Sequence, residues 1–149
     1  MKRVTAILFV LITVASLFSV EVKVCYLNEK LSPVLKAFEV EEDPVIAIFQ
    51  KLALPPQGLK TYVPTDVLRA YFFVENIMII DLDSSKLREL SFEGERYFLH
   101  QVLYTIFVNF RNVASVYVLV DDEKKDVLVR YVDIRFSFPR EVWEKWPIR

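Results

Sequence analysis

Glycine is nearly missing from this 149-residue chain: Gly58 and Gly94 are the whole supply. A loop that folds its backbone N–H groups around a phosphate needs several glycines close together, so glycine-rich nucleotide sites are excluded. Histidine and cysteine are rarer still, with one of each, His100 and Cys25. That pair cannot complete the usual His/Cys set of a zinc site, and a lone cysteine forms no intrachain disulfide. The serine-nucleophile pattern G-x-S-x-G does not occur. An excess of either charge is lacking too, since 19 Lys and Arg stand against 20 Asp and Glu, scattered along the chain. Nucleic-acid binding calls for a basic excess or stripe, so no nucleic-acid partner is expected, and no cofactor or metal.

What is present is hydrophobic: 54% of residues, enough for the core of one domain. Part of that excess is local. Lys2 and Arg3 precede an uncharged run from Val4 to Val20, the pattern of an export signal. Residues 1–20 are therefore read as a signal peptide or, because the run is near the roughly 17-residue minimum for spanning a bilayer, an uncleaved membrane anchor. The folded domain is expected over 21–149, exported to a periplasmic or other extracytoplasmic space. Cys25, in "VEVKVCYL", lacks the small residue that precedes a lipoprotein acceptor cysteine. It reads as a buried small hydrophobe with no base beside it.

Periodicity supplies the elements. "EVKVCYL" alternates as a strand, and "VLKAFEV" follows Pro33 as a second. Asp43 and Pro44 begin a helix, with Val45, Ile46, Ile48, Phe49 and Leu52 as its apolar stripe and Pro55–Pro56 as its stop. "VLRAYFFV" and "IMIIDLD" face each other across Glu75–Asn76 as an antiparallel hairpin. A long helix is expected in "SFEGERYFLHQVLYTIFVNFRN", burying Leu99, Val102, Leu103, Ile106 and Phe110. "SVYVLVD" and "VLVRYVDI" then flank "DEKKD" as a last hairpin, before a tail carrying both tryptophans. This order predicts an α+β sandwich, an antiparallel or mixed sheet with two helices on one face.

Candidate sites are few. His100 has no carboxylate at helical spacing to orient it, since Arg96 and Tyr104 occupy those offsets; it reads as a flanking histidine. Glu93 and Glu95 read as acids suited to a helix N-terminus. Asp81 and Asp83 alternate at a strand end, and capping explains them better than calcium or acid/base chemistry. "VDDEKKD" reads as a solvated tip. Tyr97, Tyr104, Phe107 and Val108 lie off the main stripe of their helix, so either the Trp143/Trp146 tail or a partner must cover that second apolar side.

In order along the chain, "VKVCYL", "DPVIAIFQKLALPP", "LKTYVP", "IMIIDLDSS", "HQVLYTIFVNFRNVASVYVLVDD" and "YVDIRFSFPR" resemble the blocks of the GerMN domain family, from about Val22 to Phe138. Pro55 departs from the family's glycine before Pro56, and Asp122 or Glu123 stands where a hairpin glycine is common. The resemblance implies an extracytoplasmic α+β domain without catalytic residues, one that binds an envelope ligand or assembles with like domains. A non-enzymatic module is thus expected, whose partner is a cell-envelope protein or a second copy. Its surface would include Tyr97, Tyr104 and Phe107, with Trp143 and Trp146 as alternative anchors, because aromatic residues dominate interfaces. The alternative is a glycan or peptide ligand such as peptidoglycan, held near Pro64–Asp66 and Asp81. An enzyme using Asp81, Asp83 or His100 is the third reading.

Overall fold

The computed structural model describes residues 18–146. Most of the expected export segment, residues 1–17, lies outside them. The first strand, β1 (Val20–Leu27), pairs antiparallel with β2 (Pro33–Val40), Val20 opposite Val40 and Leu27 opposite Pro33. In the turn between them the Asn28 side chain accepts from the N–H groups of Lys30 and Ser32. Helix α1 (Pro44–Leu52) starts as expected: Asp43 Oδ1 accepts from the N–H groups of Val45 and Ile46 at 2.9 and 3.2 Å. The stripe needs one correction. Ile46 is 44% exposed, because a step of about 100° carries it off the arc shared by Val45, Ile48, Phe49 and Leu52.

The remaining strands form a separate four-stranded sheet, ordered β3 (Leu68–Val74), β4 (Ile77–Leu82), β5 (Ser115–Val120), β6 (Phe138–Pro139). The β3–β4 hairpin closes through Glu75–Asn76, with Glu75 at φ 55°, the positive φ that two-residue hairpin turns use at their first central residue. A short helix, α2 (Ser84–Leu87), follows β4, capped by Asp83. The long helix α3 (Phe92–Asn109) then returns the chain so that β5 runs parallel to β4. The expected α+β class is therefore what the chain adopts, its strands divided between two sheets.

The last expected hairpin does not form. Val120 bridges Glu123 across Asp121–Asp122, both left-handed at φ 54° and 63°, but "VLVRYVDI" does not continue the ladder. The segment is irregular because Leu128 and Ile134 both reach the core and because α3 holds its backbone. Glu95, fully buried, accepts from the N–H groups of Arg130, Tyr131 and Val132 at 3.1 to 3.2 Å. The antiparallel place beside β5 goes to β6 instead.

Met78, Ile80 and Leu82 of β4 and Val116, Val118 and Val120 of β5 pack with Phe98, Leu99, Val102, Leu103 and Ile106 of α3 in one core. A polar line on the same helix does different work. Gln101 Nε2 donates to Cys25 O, Thr105 Oγ accepts from Cys25 N, and Asn109 both donates to and accepts from the Lys23 backbone. These three side chains, spaced by four, satisfy the edge of β1 that β2 leaves open.

Candidate functional site

The aromatic side of α3 is covered by the chain's own C-terminus. Helix α4 (Arg140–Trp143) and the residues after it bring both indoles to 4.8 Å from the His100 ring, centroid to centroid. Trp146 also lies 5.9 Å from Tyr104 and 6.4 Å from Tyr97, which stacks on Tyr62 at 5.3 Å. Arg140 fastens this segment. Its guanidinium donates to the carbonyls of Phe107 at 2.9 Å, Val113 at 2.8 Å and Phe110, and sits 4.9 Å from the Phe107 ring centroid. Those carbonyls belong to the end of α3 and the turn after it, where helix carbonyls lack intrahelical donors.

Of the expected contact residues, Tyr97, Tyr104, Trp143 and Trp146 are therefore brought together, half-buried against each other. Phe107 is not with them on an open face. It is 2% exposed, held in the core beneath Arg140, and so is corrected from a docking residue to a packing one.

His100 meets indoles and no carboxylate. Burial and the Arg96 charge push its pKa down to about 4, leaving a neutral imidazole without the orienting acid that general acid/base chemistry uses. Burial pushes the Cys25 thiol up to about 12, so it does not present a thiolate at neutral pH. Asp81, 3% exposed, is also committed: Oδ1 accepts from Asp122 N at 2.8 Å and Oδ2 lies 3.5 Å from Arg69 Nε. It thereby braces the left-handed turn where the family pattern has glycine. Asp83 caps α2 through Ser85 N, and Asp121 accepts from Ser84 N at 3.0 Å. The acids are thus spent on separate backbone groups. Among the described residues no three His, Cys, Asp or Glu converge as metal ligands.

Two open apolar features remain; sequence reasoning passed over the first and touched only the Pro64–Asp66 end of the second. The first is the sheet face turned away from the helices. Cross-strand pairing puts Ala70, Phe72 and Val74 beside Asp81, Ile79 and Ile77, and these in turn beside Leu119, Tyr117 and Ser115. Phe72 and Val74 are 52% and 53% exposed. A solvent-facing antiparallel edge normally alternates apolar with polar. The signal was the absence of that alternation in "AYFFV" and "IMII".

The second is a groove of about 650 Å³ between α1 and β3, walled by Ile46, Phe49, Ala53 and Leu54 on the helix side and by Val67–Tyr71 on the strand side. Thr65 and Asp66 line one end, so the groove includes part of the Pro64–Asp66 loop, while Asp81 is not in its lining. The off-stripe position of Ile46 was its trace in the sequence.

This geometry has known counterparts. The first GerMN domain of the sporulation protein GerM from Bacillus subtilis superposes with a TM-score of 0.68 at 13% identity, covering 82% of this chain and 98% of that one. The tandem GerMN domains of the same protein give 0.69 at 13% identity over 83% of this chain, which spans 47% of the tandem's length. A candidate lipoprotein from Clostridium perfringens gives 0.54 at 22% identity, covering 83% and 89% of the two chains. No curated protein matches the sequence. The model of the Germane family, described as sporulation and spore germination, matches residues 23–126, from the fourth residue of β1 through the turn after β5. With that match spanning most of the described residues, the chain belongs to the Germane, or GerMN, family.

Proposed function

We propose that this chain is an exported, non-enzymatic GerMN module of the cell envelope that works by assembling with a second copy of itself. One observation carries the reading: the outer face of the four-stranded sheet is apolar and open at Phe72, Val74 and Ile77. Exposed contiguous apolar surface of this kind marks contact sites in soluble domains. The central side chains of this face bear no charge, so the face complements itself across a two-fold axis without like-charge repulsion. The aromatic side of α3 supports no such role, because the chain's own Trp143 and Trp146 occupy it. The described residues contain no helix long and apolar enough to cross a membrane; the export signal or anchor in this reading is the uncharged run within residues 1–20.

Cross-linking in the envelope tests this reading. Cys25 is fully buried, so a Val74→Cys variant carries one accessible thiol within the proposed contact. Oxidation is expected to yield a covalent dimer with Val74→Cys and little with Glu42→Cys. Equal yields from both would contradict the assignment.

The groove between α1 and β3 favours a second reading, in which the same module holds an envelope ligand. Its lining is predominantly apolar, with Gln50, Thr65, Asp66 and Arg69 as polar groups at hand.

A further inference from the structure

The groove between α1 and β3 has a strand edge as one wall. Strand β3 ends the order of its sheet, so one side of its backbone meets no further strand among the described residues. Counting back from the two-residue turn, Val74 and Phe72 exchange backbone bonds with β4, and Tyr71 and Phe73 direct their N–H and C=O groups outward. An unpaired strand edge is a template for an extended chain.

From this arrangement we infer that the groove binds an extended peptide segment that adds to the free edge of β3 as a fifth strand. The inference rests on the ligand-binding reading of the groove and names the ligand's class. Alternate side chains of the added strand would point toward α1, where Ile46 and Leu54, 44% and 67% exposed, offer apolar contacts. The charge of the lining selects those side chains. Arg69 is already paired with Asp81 and Asp121, which leaves no free cation in the lining for an acidic residue. The segment is therefore apolar at every second position and carries no acid there, while a base is accommodated only at the end lined by Asp66. A glycan fits less well. Sugar hydroxyls need many polar partners, and the greater part of the wall is apolar.

The α1 wall also decides against the edge of a second copy in the same place. That copy would bring its own α1 alongside, whereas a single strand enters a helix-lined groove without a second wall.

The test is selection of a displayed library of random peptides, about twelve residues long to exceed the seven-residue edge, on the full chain. Selected peptides are expected to alternate apolar residues and to slow hydrogen exchange at the amides of Tyr71 and Phe73. Leu54→Glu and Ile46→Glu, both at exposed positions, are each expected to weaken binding about tenfold or more, since a charge would be desolvated against the peptide. Absence of alternation, unprotected Tyr71 and Phe73 amides, or indifference to both variants would overturn the inference. Disaccharide–peptide fragments of peptidoglycan form a parallel arm. Should they protect the groove while library peptides do not, strand addition fails and the ligand-binding reading stands; if neither probe touches the groove, both fail.

Discussion

Glu95 joins the long helix to the irregular C-terminal segment, and it does so as a buried acid with three backbone donors. Replacing it by alanine orphans those N–H groups in the interior, so a loss of about 2–4 kcal/mol is expected in denaturant titration. Unchanged stability, or unchanged hydrogen exchange at Arg130–Val132, would show that the segment holds without it. His100 supplies a pH test. Its folded pKa of about 4 lies below the ordinary 6.5, so between those values the unfolded chain binds a proton that the folded chain refuses. The melting temperature is therefore expected to fall as pH drops from 6.5 toward 4. His100→Phe should remove that part of the slope, with the neighbouring tryptophans as fluorescence reporters. The same slope in the variant would assign it to other groups. At this scale the sequence was legible where a residue serves its neighbours: Asp43, Pro44 and Asp83 do the capping their positions announce. Glu95 was not, because a first-turn acid is indistinguishable in sequence from one aimed 35 residues onward.

The elements divide in the same way. Local periodicity announced β1, α1, the β3–β4 hairpin, α3 and β5, and each forms. The segment "VLVRYVDI" at 127–134 is as rich in β-branched and aromatic residues as a strand, yet the place beside β5 is taken by Phe138–Pro139. Competition between segments for one edge is not written in either of them. The polar line Gln101, Thr105, Asn109 was hidden for a related reason: it looks like a solvated helix face until β1 is laid against it. Gln101→Leu keeps the volume and removes the bonds to Cys25 O and Tyr62 N. A cost of about 1–3 kcal/mol is expected, with faster exchange at Tyr62. The C-terminal segment supplies a complementary test. Arg140→Ala cuts three bonds to the end of α3, so it is expected to release the indoles and shift tryptophan emission to longer wavelength. An unshifted spectrum would mean that ring packing alone holds the tail.

For the molecule as a whole, the composition argues against nucleic acid, zinc and glycine-rich nucleotide sites, and the structure spends the buried polar groups of the described residues on internal partners. No buried side-chain nitrogen or oxygen among the described residues lacks a partner. His100, Cys25 and Asp81, the groups that drew chemical attention, are respectively covered by indoles, buried, and locked to a turn. The open surface is apolar sheet. Which face of a strand stays open depends on where both helices pack, and no single strand states it; the aromatic residues of α3 therefore looked like the better contact. Sedimentation velocity on the mature full-length protein and its Phe72→Glu variant, over a range of concentrations, tests the assembly claim most directly. The wild type is expected to shift from monomer to dimer with concentration and the variant to stay monomeric with an unchanged melting temperature; a wild type that remains monomeric, or a variant that dimerises equally, would contradict it.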